Sequence, residues 1–432
     1  MYYHAAALVD RQVIEQHATL SLEWIAGAAD KPPRLSGISA TEFEEVVTLR
    51  GVIPLFADCT KSAIGHNACF EEQLLHGQEH WLRRRQTALG ISNFGHHGLA
   101  VGDVNGDGLE DLYVCQTGGL PNRLLVQNPD GTATDVARAA GVDLMERTHS
   151  ALLIDIDNDG DQDLVLGTEA ALVLMENDGT GKFALKALGA LPNAFSLAAA
   201  DYDDDGDLDL FACFYASLPD YQRNAGLGLQ PIPYHDANNG LSNALLRYDG
   251  DWKLTDVTGE VGMEENNNRW SFAASWEDYD NDGDLDLYVA NDFGRNNLWQ
   301  NDGGKFKDVA AEAGVEDIAS GMSVSWGDYN RDGNMDLYVG NMFSSAGGRI
   351  AYQRQFHQQA DDEVRSHLQR LARGNTLFLN TGDGQFLDVS EKAGVTMGRW
   401  AWGSNWVDLN NDGWLDLVVA NGYMTNRQPD DL

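Results

Sequence analysis

Along most of the chain, apolar residues come in short runs separated by polar, glycine-bearing stretches. Leu112–Val114, Leu287–Val289, Leu337–Val339 and Leu417–Val419 are such runs. They are rich in β-branched and aromatic residues and read as strands. Each follows an acidic nonapeptide. Further on comes N-x-L, at Asn122–Leu124, Asn243–Leu245, Asn296–Leu298 and Asn375–Leu377. After a glycine-bearing turn comes F-x-D-V, at Phe306–Val309 and Phe386–Val389, with looser forms at Thr134–Val136 and Leu254–Val257. Six residues past that Asp stand Gly141, Gly262, Gly314 and Gly394. One repeat therefore predicts four short strands with turns between them, the make-up of one β-propeller blade.

The strand ahead of each acidic loop has its own pattern. Five residues before the first Asp stand Gly98, Ser150, Ser196, Ala273, Ser323 and Gly403, all small enough for strands crowding around an axis. Two residues before it stand Val101, Leu153, Ala199, Trp276, Trp326 and Trp406, placed for packing between blades or simply in the core.

The nonapeptide D-x-[DN]-x-D-G-x-x-D occurs six times, with motif-to-motif spacings of 52, 46, 77, 50 and 80 residues. Its oxygen-bearing positions 1, 3, 5 and 9 are the candidate metal ligands. They are Asp103, Asn105, Asp107 and Asp111; Asp155, Asp157, Asp159 and Asp163; Asp201, Asp203, Asp205 and Asp209; Asp278, Asp280, Asp282 and Asp286; Asp328, Asn330, Asp332 and Asp336; and Asp408, Asn410, Asp412 and Asp416. Alternate residues of a tight loop turn their side chains inward, and calcium takes six to eight such oxygens. Carboxylates converging without a counter-ion repel one another, which disfavours a metal-free set of Asx-turns. Magnesium keeps its waters and rarely uses an all-protein cage. The expectation is up to six Ca²⁺. An EF-hand would need Glu at loop position 12 between two helices. That position holds Val114, Leu166, Ala212, Val289, Val339 and Val419, none able to ligate. Each loop is expected to be the turn of a β-hairpin.

The fold expected is all-β: a propeller of six motif-bearing blades, or seven if residues before Glu45 add strands. Residues 1–44 read as an N-terminal helical segment or the remnant of a neighbouring domain, and 45–432 as the propeller. Within it, 46–60 are expected to complete the last blade, because Phe56–Thr60 repeats the F-x-D-V pattern and one strand follows the sixth loop. A helical insertion is expected at about 70–87 and the six loop repeats over 92–432. Two long insertions, Ser217–Gly240 and Ser344–Gly374, fall where the second strand of a blade passes to the third, on the face opposite the acidic loops. Asp361–Arg373 reads as an amphipathic helix with Val364, Leu368 and Leu371 on one side. The second insertion also carries Arg349, Arg354, Arg365, Arg370 and Arg373.

Those arginines stand out because the chain has 29 Lys+Arg against 67 Asp+Glu, a net charge of −38. Twenty-one of the acids stand at positions 1, 3, 5 and 9 of the six loops. Such a balance excludes nucleic acid as a general partner, since counterion release needs clustered bases. No 18-residue apolar run exists, so no spanning helix is expected, and residues 1–15 have no signal-peptide pattern. Cys59 and Cys69 are placed either to bridge in an oxidising compartment or to remain thiols. Cys115 and Cys213 fall in strands. His97 and His149 occupy equivalent repeat positions, filled elsewhere by Phe195, Phe272, Met322 and Trp402, so they read as packing residues, with His96 beside them. No nucleophile or phosphate-loop motif is present, and no catalytic residue is assigned.

With these residues in view, the chain resembles the calcium-binding FG-GAP/VCBS repeats, as in the integrin α-subunit propeller. The N-x-L…F-x-D-V…A-G-V sequel is most similar to the cartilage acidic protein (ASPIC/UnbV) group. The resemblance covers about Phe56 to Tyr423. It implies a propeller with structural calcium in its blade hairpins, in a secreted, periplasmic or surface protein. It further implies recognition or adhesion toward a protein or glycan, the site expected opposite the calcium loops. The alternative is a propeller enzyme, of polysaccharide hydrolase or lyase type, with its site at the channel mouth. The missing signal peptide and missing C-terminal module of that group lead to the expectation that the chain is a fragment or an incompletely delimited reading frame.

Overall fold

The four-strand periodicity is realised as successive antiparallel meanders. The structure is a computed structural model, and it describes residues 2–9, 12–25, 33–49, 57–77, 80–81, 84, 98–215, 231–409 and 413–422. The chain divides into two units, Met1–Cys59 and Thr60–Leu432.

The first unit is a three-stranded antiparallel sheet of β1 (Tyr2–Val9), β2 (Gln12–Ile25) and β3 (Arg34–Leu49), in that order. The expected N-terminal helix is thus corrected to strands. The reason is legible in β2, where Ala18, Leu20, Leu22 and Trp24 alternate with Thr19, Ser21 and Glu23, the period of a strand. Val46–Leu49 pair with Glu15–Gln12 of β2, so the long β2 edge takes residues expected to close the last blade. No strand covers Ala57–Cys59, and Thr60 opens a helix, Thr60–Ile64; Phe56 lies outside the described residues. The unit boundary falls at 59/60 rather than 44/45.

The second unit holds the propeller. Its first blade is β4 (Leu99–Gly102), β5 (Asp111–Val114), β6 (Arg123–Gln127) and β7 (Ala133–Asp135). The second is β8 (Thr148–Ile154), β9 (Asp163–Thr168), β10 (Leu172–Asn177) and β11 (Phe183–Gly189). The third is β12 (Ser196–Ala200), β13 (Asp209–Cys213), β14 (Ala244–Tyr248) and β15 (Leu254–Asp256). The fourth is β16 (Trp270–Glu277), β17 (Asp286–Asp292), β18 (Asn297–Asn301) and β19 (Phe306–Asp308). The fifth is β20 (Gly321–Gly327), β21 (Asp336–Asn341), β22 (Thr376–Asn380) and β23 (Phe386–Asp388). The sixth contributes β24 (Ala401–Val407) and β25 (Asp416–Asn421), a two-stranded sheet among the described residues.

First strands neighbour first strands, β4 to β8 to β12 to β16 to β20 to β24. The small residues make this approach feasible. A Cβ on Gly98 would meet the His149 carbonyl at 2.9 Å, and the Ser404 hydroxyl lies 2.9 Å from Ser323 and 2.7 Å from Ser325. The tryptophans pack between blades. Trp276 meets Phe211 edge-on at 6.4 Å, Trp326 meets Tyr288 at 6.2 Å and Trp406 meets Tyr338 at 6.1 Å. Each such pair adds about 0.5–1.5 kcal/mol beyond area burial. Val101, on the first blade, is exposed.

The N-x-L asparagine is a pin inside the blade. Asn122 and Asn296 accept the backbone N–H of Gln116 and Asn291 and donate to the hydroxyls of Tyr113 and Tyr288. Those buried tyrosines donate in turn to the carbonyls of Val142 and Val315. The F-x-D-V aspartate caps one helical turn, as Asp308 accepts from Ala310 N at 3.2 Å.

Both insertions leave the end of the second strand, away from the acidic hairpins. Residues 216–230 of the first lie outside the described residues. The second forms helices Ser345–Ala351 and Asp362–Arg370. In the expected 70–87 insertion, Phe70–Leu74 is helical and His80–Trp81 are in a helical turn; Arg83 and Arg85–Thr87 lie outside the described residues.

Candidate metal centres in the blade hairpins

All six nonapeptides join the first two strands of a blade, so the hairpin expectation holds and helix-flanked loops are absent from these positions. In every described loop the chain turns sharply because two residues take positive φ. Position 6 is glycine, with φ from 83° at Gly108 to 99° at Gly283. Position 4 is Gly106, Asn158, Asp204, Asn281 or Arg331, with φ from 57° to 70°. Asn, Asp and Gly accept this region most readily. Arg331 is the exception, and its guanidinium lies 4.2 Å over the Trp414 ring of the next hairpin.

The turn folds backbone N–H groups onto the position-1 carboxylate. Asp103 accepts from Asp107 N at 3.1 Å and Gly108 N at 2.7 Å. Asp155, Asp201, Asp278 and Asp328 repeat the pair at 2.9–3.1 Å. Asp408 accepts from Gly413 N at 2.7 Å; Asn410 and Asp412 lie outside the described residues.

Position 9 has a role the spacing did not reveal. Asp111, Asp163, Asp209, Asp286 and Asp336 are fully buried. One oxygen of each accepts a third-strand N–H at 2.8 Å, from Gln127, Asn177, Tyr248, Asn301 and Asn380. In Asp111, Asp163, Asp286 and Asp416 the other oxygen accepts the position-2 N–H at 3.1–3.3 Å. Asp209 and Asp336 keep a buried oxygen without a hydrogen-bond partner. Burial pushes these carboxyls up, Asp163, Asp209 and Asp336 to about 7 and Asp286 to about 8, against the pull of the backbone donors.

The third-strand asparagines also went unread. Asn177, Asn301 and Asn380 donate their side-chain amides at 2.8 Å to the carbonyls of Val104, Tyr202 and Tyr279, each at position 2 of another blade's acidic loop. Their signal was present as the last Asn of NNLWQN and NTLFLN.

Three loops bring carboxylates together within 4.8 Å of one another: Asp155, Asp157 and Asp159; Asp201, Asp203 and Asp209; Asp278, Asp280 and Asp282. In each, the position-3 carboxylate, Asp157, Asp203 or Asp280, has a buried Oδ1 without a partner. Burial, with repulsion from the position-5 carboxylate, raises all three. Orphaned oxygens amid like charges are the condition a hard dication relieves, so the donor set fits calcium. Position 3 is asparagine in the first and fifth loops. There Asn105 and Asn330 donate to the carboxylates of Asp107 and Asp332 at 3.0 and 2.8 Å.

The remaining candidates are structural. His149 is buried and stacks on Phe195 at 5.6 Å, in keeping with a packing role; His96 and His97 lie outside the described residues. Cys69, Cys115 and Cys213 are buried free thiols, so Cys59 and Cys69 are not bridged. Arg370 bridges Asp317 at 2.7 Å and Asp388 at 2.6 Å, Arg373 joins Asp388 at 2.9 Å, and Arg365 pairs with Asp362. Much of the arginine excess is thus neutralised within the fold, leaving Arg349 and Arg354 exposed. Among the described residues, no helix is long and apolar enough to cross a membrane.

The model of the FG-GAP-like repeat family matches residues 103–166, 155–212, 278–339 and 368–419, together just over half of the chain. Cartilage acidic protein 1 of Xenopus tropicalis is 30% identical over 132 residues, covering 28% of this chain and 20% of that protein. The Homo sapiens protein of the same name is 27% identical over 219 residues, covering 48% of this chain and 30% of that protein. The matched regions thus span less than a third of the length of these relatives. Among solved structures, an Agrocybe aegerita lectin that recognises non-reducing terminal N-acetylglucosamine matches with a TM-score of 0.41 and 16% identity, over 75% of this chain and 74% of the lectin. The V. cholerae biofilm matrix protein Bap1 matches with a TM-score of 0.34 and 12% identity, over 69% of this chain and 39% of that one.

Proposed function

This chain belongs to the FG-GAP-like repeat family, and on that premise we propose that it is a calcium-stabilised propeller that recognises a protein or glycan outside the cytoplasm. Calcium is structural in this reading. It pins the first hairpin of each blade and cancels the repulsion among the loop carboxylates. The orphaned Oδ1 atoms of Asp157, Asp203 and Asp280 are the observation that carries it. Extracellular calcium modules bind at about 10⁻⁴–10⁻³ M, which suits constitutive occupancy outside a cell.

The proposed partner surface is the face opposite the calcium hairpins. Support comes from the second insertion, whose two helices frame a groove of about 300 Å³ lined by Tyr352, Arg354, Phe356, Arg365 and Gln369. Tyr352 is 65% exposed and Arg354 is exposed. Long loops on a rigid scaffold are where binding concentrates.

Two measurements test the proposal. Excess EDTA is expected to lower the melting temperature substantially, and an unchanged melt defeats structural calcium. Glycan and extracellular-protein arrays probed with the calcium-loaded chain are expected to give a hit that Tyr352→Ala with Arg354→Glu abolishes. A hit untouched by that double variant moves the site elsewhere. Polysaccharide turnover by the same preparation would replace recognition with catalysis.

A further inference from the structure

Taking calcium binding as proposed above, we infer that the six hairpins form two affinity classes, set by the residue at loop position 3. The second, third and fourth blades carry Asp157, Asp203 and Asp280 there; the first, fifth and sixth carry Asn105, Asn330 and Asn410. In the aspartate loops the position-3 Oδ1 has no hydrogen bond to give up, and Gln300 donates at 2.7 Å only to the other oxygen of Asp280. The position-3 Oδ1 is buried and unpartnered, and in the third loop Asp209, itself fully buried, adds a second unpartnered oxygen. Two other carboxylates of each loop already lie within 4.8 Å. An incoming dication meets four carboxylates and relieves their repulsion.

In the described asparagine loops the same space is internally satisfied. Asn105 Oδ1 accepts from Asp107 N at 3.0 Å while its Nδ2 donates to the Asp107 carboxylate at 3.0 Å. Asn330 does the same with Asp332, at 2.9 and 2.8 Å. The Asn amide is tied to the position-5 carboxylate, so a cation that takes both side chains as ligands must break that hydrogen bond. It then meets three carboxylates instead of four. Ligand charge count tunes calcium affinity over orders of magnitude in such loops, so a separation of about tenfold or more is expected.

The classes are segregated along the chain. The three strong hairpins are consecutive, and Asn158 of one donates to Asp207 of the next at 2.7 Å. As calcium falls, the outlying hairpins of the first, fifth and sixth blades release their ions first. The second to fourth blades stay pinned. The propeller then responds to calcium in two stages.

Isothermal titration of the calcium-free full chain with CaCl₂ tests this, with terbium luminescence as a second probe. The expected result is three strong and three weak ions. Asn105→Asp with Asn330→Asp should shift the count to five strong and one weak, a gain that does not depend on weakening the fold. Asp157→Asn should leave two strong ions. Uptake of all ions as one uniform class, or variant counts equal to wild type, overturns the inference while leaving calcium binding intact. No uptake at millimolar calcium overturns the calcium reading itself, and the two failures are therefore distinct.

Discussion

The Asn301 side-chain amide donates to the main-chain carbonyl of Tyr202 at 2.8 Å, joining the third strand of the fourth blade to the acidic loop of the third. The same side chain accepts from Gly304 N at 2.8 Å, and the Asn301 backbone N–H donates to Asp286 at 2.8 Å. One residue therefore ties two hairpins and a turn together. Asn301→Ala should destabilise the protein by about 1–3 kcal/mol, because it leaves buried polar groups unpaired. Urea denaturation measures this, and a change below about 0.5 kcal/mol would show that the clamp is dispensable.

Arg370 should matter more than its neighbours on the same insertion. It is the half-buried counter-charge to Asp317, which is fully buried at its carboxylate. Arg370→Ala strands that charge and should destabilise by about 3–5 kcal/mol. Arg349→Ala, at an exposed position, should be near neutral. Equal thermal shifts for the two variants would contradict the assignment.

Two acids outside the loops predict opposite pH dependences. Burial pushes Asp292 up to about 6, against hydrogen bonds from Tyr215, Ser320 and the Phe293 backbone. A raised folded value means the native state holds its proton longer, so this contribution is present below 3.8 and is lost as pH rises through about 6. Asp388 is desolvated too, but Arg370, the Ser390 hydroxyl and Arg373 hold it well below 3.8. Its contribution is present above that value and is lost as pH falls below it. Asp292→Asn should flatten stability between about pH 4 and pH 7, and a slope equal to wild type would refute the assignment.

Gly314 closes the helical turn after F-x-D-V at φ 79°. A side chain in that left-handed conformation costs about 1–2 kcal/mol. Gly314→Ala should therefore lower the denaturation midpoint, whereas Gly77→Ala, with open space around it, serves as the control. If both variants melt alike, the glycine is not there for its backbone.

Much of the site was legible because it is local. Nine residues contain the turn, its glycine and its carboxylates, and the following Leu-Tyr-Val run states the strand. The N-terminal strands were legible in the alternation from Ala18 to Trp24, a period that a helical reading of residues 1–44 does not accommodate. The ion pairs of the arginine-bearing insertion were not legible because Asp317 and Asp388 lie outside it in sequence.

What the sequence by itself determined is the repeat: six hairpins with oxygen-bearing side chains at alternate positions, and four strands per full blade. Periodicity and turn chemistry act over a few residues, so they need no tertiary context. Only the tertiary structure decided how each oxygen is used. The buried position-9 carboxylate is committed to a third-strand N–H, the position-3 oxygen is orphaned in three loops, and asparagine fills that place in two others. Desolvation and pairing depend on which distant groups arrive beside a carboxylate, and those arrive only when the blades pack.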